Sequence, residues 1–305
     1  MSKKIILLAG PTASGKSKLA IQIAKKIKGE IINTDSMQVY KDFSILSSRP
    51  SKSDLKKIKH HLYGFISSKK HFSTGTWLSF AKQKIRLCLK KKKIPILVGG
   101  TGLYFEAITK GISKIPNIDF KKRNKVRNYQ VKLGQKKFYK KLLTLDPLVK
   151  NIIEPSDTQR SIRAYEVKKF TKKSIFEWYK STKSDFTEFE IFKIFLDAPR
   201  EKILKNISIR TKKMIKNNCI NEVKNFLKLK IDPTLSANKI IGVKEIKEHL
   251  EKKADLNEVT ELINIKTRQY AKRQVTWSRG HMHDWKREYS NSFSDLSKKI
   301  LKLLS

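Results

Sequence analysis

The chain has 305 residues, 39% of them hydrophobic, and carries 69 Lys and Arg against 27 Asp and Glu, for a formal net charge of +42. That apolar content suits one sizeable core with a smaller attached domain. No run of about 18 apolar residues occurs, so no membrane-spanning helix is expected. The charge points to a polyanion, nucleic acid first, although a Lys-, Ile- and Asn-rich composition also inflates it. Cys88 and Cys219 stand far apart, which fits a reducing compartment without a disulfide frame.

In chain order, residues 4–9 read as a buried strand, although a basic start before an apolar run can imitate a signal peptide. The run is too short for that, and it leads directly into GPTASGKS, residues 10–17. A helix is predicted over 16–28, strands over 30–34 and 94–100, a helix before the latter, and a fourth strand over 191–198. This alternation predicts an α/β fold, a P-loop doubly wound parallel sheet. Residues 116–190 read as an inserted all-helical domain, leaving residues 1–115 and 191–305 as a discontinuous core. Asp146-Pro147 and Pro155-Ser156-Asp157 mark breaks and helix starts there, and Ser156 to Gln159 has the spacing of a capping box.

GPTASGKS matches GxxxxGK[ST] between a strand and a helix. Gly10, Pro11, Thr12, Ala13, Ser14 and Gly15 form a phosphate cradle, Lys16 adds a point charge, and the Ser17 hydroxyl can ligate Mg²⁺. A nucleoside triphosphatase or kinase also needs an acidic residue at a core strand end. The strand ILVGGTG ends in Gly99, Gly100 and Thr101 instead, and the acid, Asp35, follows EIINT. It can hold a metal or act as a base.

The chain resembles the tRNA dimethylallyltransferase (tRNA isopentenyltransferase) family, bacterial type. The resemblance rests on GPTASGKS, on DSMQVYKDFSILSSRPS at 35–51 and HHLYGF at 60–65, and on VGGTGLYFEAITKG at 98–111. It continues through DTQRSIRAYEV at 157–167, Arg210 to Met214, IIGVKEI at 240–246 and TRQYAKRQVTWSRG at 267–280. It implies transfer of a dimethylallyl group from dimethylallyl diphosphate to N6 of the adenosine 3′ of the anticodon, in tRNAs reading U-starting codons. Diphosphate is released. The implied catalytic set is Asp35 as base, with Lys16, Arg210 and Thr101, and residues 10–17 hold the diphosphate with Mg²⁺ on Ser17. The implied tRNA contacts are Asp35, Ser36, Met37, Gln38, Thr101, Arg123, Gln159, Arg160, Ser161, Ile162 and Arg163. A cytoplasmic monomer is expected, with a tRNA anticodon stem-loop as partner and no membrane. Other readings are prenylation of free AMP, a P-loop small-molecule kinase, and an RNA-binding protein without activity. His60-His61 and His281-x-His283 are read as lacking a third metal ligand, and Tyr270 and Trp277 as core packing. Arg268, Lys272 and Arg273 are read as phosphate contacts.

Overall fold

The computed structural model describes residues 3–289 and 292–304. In it the apolar runs become strands β1 (Lys4–Ala9), β2 (Gly29–Thr34), β4 (Ile94–Gly99) and β5 (Glu190–Leu196), with β3 (His60–His61) and β6 (Lys286–Glu288) at the edges. The sheet order is β3-β2-β4-β1-β5-β6, and every neighbouring pair is parallel. The sequence reading names neither edge strand, because HH and KRE carry no alternating pattern. They exist by pairing: His60 lies in register with Ile31, and Lys286 with Ile194.

The helices follow as α1 (Lys16–Lys26), α2 (Lys52–Lys57), α3 (Thr74–Lys90), α4 (Gly102–Thr109), α5 (Phe120–Leu145), α6 (Thr158–Thr171), α7 (Ile175–Lys180), α8 (Arg200–Lys216), α9 (Cys219–Leu227), α10 (Val243–Leu250), α11 (Leu256–His281) and α12 (Phe293–Leu304). The predicted helix over 16–28 stops at Lys26, since Lys28 takes a left-handed φ of 52° on the way into β2. None of these helices is long and apolar enough to cross a membrane.

Alternate side chains of one strand leave on opposite faces, and both faces here are apolar. Ile5, Leu7 and Leu97 join one core with Trp77 and Ile85 of α3, Val223 of α9, Ile246 of α10 and Ile263 of α11. Ile6, Leu8, Ile96 and Val98 join another with Leu19 and Ile23 of α1 and Leu296 and Ile300 of α12. Burial on both faces explains why the central strands read as continuous apolar runs. The sheet is doubly wound, as expected.

The chain divides into two compact units, residues 1–108 with 186–305, and residues 109–185. The sequence reading places the seams at 116 and 190. The differences have local causes. Gly111 takes a φ of +91° tightly against the backbone of Lys183 and Ser184, so this segment packs with the helical unit. At the other seam Phe186 belongs to the sheet core and Glu190 pairs with Lys4. The helical unit has its own apolar centre, with Leu142, Val149 and Val167 in one cluster and Val126, Phe138 and Ile162 in another.

Gly99 ends β4 so close to β2 that an added Cβ would overlap the Thr34 carbonyl. We expect Gly99→Ala to destabilise the sheet unit by roughly 1–3 kcal/mol, the usual scale of overpacking. Equilibrium urea unfolding checks this, and an unchanged midpoint would mean that β2 and β4 can part at no cost.

Candidate functional site

The phosphate loop leaves β1 at Ala9 and enters α1 at Lys16. Gly15, the N-cap of α1, has a φ of 89° and no side-chain cap, and the first turn carries no acid. The opening N–H groups of the helix, with its positive dipole end, are thus left for an anion. Ala13 is also left-handed, with φ 64°. Ser14 Oγ is buried and has no partner among the described residues. Ser17 is exposed at the first turn of α1.

Lys16 Nζ donates to the Pro11 carbonyl at 3.0 Å. Burial lowers the Lys16 pKa to about 8, with Asp35 opposing the shift and Arg210 adding to it. Arg210, on α8, donates from Nη1 to Thr12 Oγ1 at 2.7 Å. Burial also lowers the Arg210 pKa, against the charge of Asp35. One carboxylate therefore faces two desolvated cations at the loop.

Asp35 is set by Asn33, the residue two before it. The Asn33 amide accepts the Asp35 N–H and donates to the Asp35 carbonyl, both at 2.9 Å. It also donates to the Leu62 carbonyl at 3.0 Å, while the Asn33 carbonyl accepts Trp77 Nε1–H at 2.9 Å. Asp35 Oδ1 accepts the Met37 N–H at 2.9 Å. Thr101, at the end of the intervening strand β4, accepts the Ser36 N–H on Oγ1 at 2.9 Å and donates to Ser36 Oγ at 3.3 Å. Behind this turn Trp77 stacks on Tyr104 at 4.2 Å. The phenols of Tyr63, Tyr104 and Tyr270 are all pushed well above the usual range, by burial first and with the negative charge of Asp35 contributing.

A cavity of about 230 Å³ adjoins the loop. Gly10, Gly100, Thr101, Leu103, Tyr270 and Trp277 are among the residues that form its wall, which is mainly apolar. Tyr270 and Trp277 thus line a space beside the loop, where the sequence suggests core packing. Trp277 also packs partly on the main core and stacks on His281 at 4.4 Å.

Gln38 donates its amide to the Ser47 and Ser48 carbonyls at 2.9 and 3.2 Å, so its NH₂ holds a turn of the protein itself. Met37 is half-buried against the main core. In the helical unit, α6 starts one residue later than a Ser156 cap would place it. Asp157 is the N-cap and its side chain accepts the Arg160 N–H at 3.0 Å. The Ser156–Gln159 capping box does not form, because an aspartate at the next position takes the cap, and Gln159 is left exposed. Arg160 is exposed beside Asp157 at 3.5 Å. Arg123 and Arg163 both reach Glu166 Oε2 at 3.4 Å, while that carboxylate is only 1% exposed. Ser161 and Ile162 face inward: Ser161 Oγ accepts from Gln135, and Ile162 packs in the unit's own core.

Two residues that bond to the loop have no role assigned from the sequence: Gln274 of α11, which lies within the 267–280 block, and Asn206 of α8. Both lie far along the chain, and an amide in a basic helix has no motif of its own. Arg268 pairs with Glu261 at 3.2 Å, and Arg273 lies over the Tyr270 ring and lines the cavity. Spacing gives His61 no third ligand, but the fold brings Glu30 and Cys88 to it. His61 Nε2 and Glu30 Oε2 are 2.6 Å apart, a hydrogen bond, and Cys88 Sγ lies 3.6 Å from the same oxygen. Burial, with the Glu30 charge, pushes the Cys88 thiol up to about 12, so it stays protonated.

The geometry is thus a phosphate-loop motif, two half-buried cations and a carboxylate on a parallel sheet, and the chain that builds it is similar to known proteins. The model of a family described as IPP transferase matches residues 38–281. The chain is 57% identical over 282 residues to a tRNA dimethylallyltransferase of Pelagibacter ubique, covering 92% of this chain and 90% of that one. It is 42% identical over 307 residues to a tRNA dimethylallyltransferase of Rickettsia massiliae, covering 99% and 84%. Among solved structures, a tRNA isopentenylpyrophosphate transferase of Bacillus halodurans superposes with a TM-score of 0.72 at 27% identity, over 99% of this chain and 96% of that one. A eukaryotic dimethylallyltransferase acting on tRNA gives 0.78 at 28% identity, over 91% and 70%. A family model over residues 38–281, with relatives at this identity and coverage, places the chain in the IPP transferase family.

Proposed function

We propose that this protein is a tRNA dimethylallyltransferase that moves the five-carbon group of dimethylallyl diphosphate to N6 of the adenosine 3′ of the anticodon. The observation that carries the reading is the single carboxylate, Asp35, opposite Lys16 and Arg210 at the phosphate loop. An allylic substitution needs this polarity: a base for the incoming amine at one pole and cations for the departing diphosphate at the other.

The adenine N6 lone pair is delocalised into the ring, so the amine is a weak nucleophile. Asp35 Oδ2 takes an N6 proton as the C–N bond forms; Oδ1 is held by the Met37 N–H. The C–O bond to diphosphate breaks, and negative charge grows on the leaving oxygens. The N–H groups opening α1, Lys16 and Arg210 stabilise that charge. The mainly apolar cavity beside the loop suits a hydrocarbon chain and keeps water from the allylic carbon. The Ser17 hydroxyl is a hard oxygen donor, exposed at the first helical turn, and would hold Mg²⁺. When bound, the ion neutralises charge on the departing diphosphate. A target base must leave its stack to reach such a site, and Ser36 and Thr101 flank Asp35 where it would enter. In the helical unit, α5 has no acidic residue among its 26, and with exposed Gln159 and Arg160 it suits the backbone of an anticodon stem-loop. We assign a cytoplasmic monomer.

The test is transfer of radiolabel from dimethylallyl diphosphate to unmodified tRNA, with AMP in parallel. Wild type should label tRNA and not AMP. Asp35→Asn should lower kcat by about 10²–10⁴-fold, the usual worth of a general base, with diphosphate affinity retained. Label in AMP alone would overturn the tRNA reading.

Lys16 gives a pH dependence. Its ammonium is present below about 8 and lost above it. Affinity for inorganic diphosphate, followed by calorimetry from pH 7 to 9.5, should therefore fall as the pH rises through that value. Lys16→Met should bind weakly and flatten the profile.

Arg160→Glu should weaken an anticodon stem-loop roughly 10-fold through phosphate repulsion and leave diphosphate affinity unchanged, read by fluorescence anisotropy and calorimetry.

A further inference from the structure

The phosphate loop of this protein is held from behind by two helices that sequence places nearly two hundred residues or more away. Gln274 of α11 is a two-ended clamp. Its Oε1 accepts the Thr12 N–H at 2.8 Å, and its Nε2 donates to the Gly100 carbonyl at 2.8 Å. One neutral amide therefore ties the loop after β1 to the turn after β4. Gly100 has no Cβ because the Gln274 amide fills that space. On α8, Asn206 Nδ2 donates to the Ala13 carbonyl at 2.9 Å, one turn before Arg210 reaches Thr12. Ala13 is the left-handed residue of the loop, and its side chain packs on the cluster of Ile203, Ile207 and Ala271 where α8 meets α11.

A left-handed non-glycine residue is strained and persists only where its surroundings hold it. Here the surroundings are Asn206 and the α8–α11 seam. The Thr12 N–H is already engaged, so it is withheld from any ligand, and the donors left to the anion are those nearer α1. We infer that Gln274 and Asn206 are positioning residues for diphosphate: they shape the loop before the anion arrives and do not touch it. This inference rests on the loop being the diphosphate site.

The chemistry of the clamp is specific to an amide. Methionine keeps the length and loses both bonds. Glutamate keeps the acceptor, loses the donor to Gly100, and adds a negative charge behind a loop that must bind an anion. Asparagine is too short by one methylene.

The experiment uses the full-length protein with inorganic diphosphate as a direct probe, and with dimethylallyl diphosphate and tRNA in steady-state kinetics. Gln274→Met and Asn206→Ala should each weaken diphosphate at least 10-fold. They should raise KM for dimethylallyl diphosphate and leave KM for tRNA within about two-fold, the expected scale for a lost polar bond that acts on one ligand. Gln274→Glu should be weaker than Gln274→Met. Thermal melts select a working temperature at which every variant is folded. Diphosphate affinity and KM equal to wild type in folded variants would overturn the inference, as would an equal rise of both KM values, which marks a general loss of structure. Absence of diphosphate binding by wild type itself would instead overturn the reading of the loop.

Discussion

Backbone must approach backbone unusually closely at the carboxyl ends of β1 and β4, and the site exists only because it does. Gly10 sits where a Cβ would be 2.7 Å from the Leu196 carbonyl, and Gly99 lies directly against Thr34. Gly100 and Gly102 admit Gln274 and Trp277 of α11 into the same space. A side chain at any of these positions would push a loop, a strand or a helix away. With the glycines in place, the phosphate loop, the turn bearing Asp35 and the C-terminal helices can surround one small volume.

That closeness produces the electrostatics. Lys16 and Arg210 are stripped of water, which weakens their hold on a proton, and Asp35 is the counter-charge for both. In a wetter site the same three residues would be screened and worth little. The tyrosines around Asp35 add burial without adding charge, since each is held neutral. The cation pair is thus poised for an anion, because the desolvation that disfavours it alone also strengthens its attraction to an opposite charge.

The helical unit shows the opposite economy. The deeply buried carboxylate of Glu166 is shared by Arg123 and Arg163. The cost of burying that charge is offset by two guanidiniums, which also fixes where they sit. Of the five-residue stretch 159–163, the side chains of Gln159 and Arg160 face solvent, while Ser161 and Ile162 build the core of the unit. A helix of period 3.6 cannot present five consecutive residues on one face, so a contiguous motif divides into surface and interior.

The residues of the core strands, the phosphate loop and the position of Asp35 at a strand end were legible in the chain. Each is local: a buried parallel strand is an apolar run, and a glycine-bounded loop between strand and helix has its own spacing. The family was legible because several such blocks occur in a fixed order. The edge strands, the seams at 109 and 185, the Asp157 cap in place of Ser156, and the Glu30–His61–Cys88 knot were not. Neither were Gln274 and Asn206, nor the lowered pKa of Lys16. The cap is settled locally, by competition between adjacent residues, but the others depend on which distant residues become neighbours and on how much water is removed between them. Pairing, burial and hydrogen bonding between residues from 31 to 262 positions apart are properties of the packed chain, and no short window of sequence contains both partners.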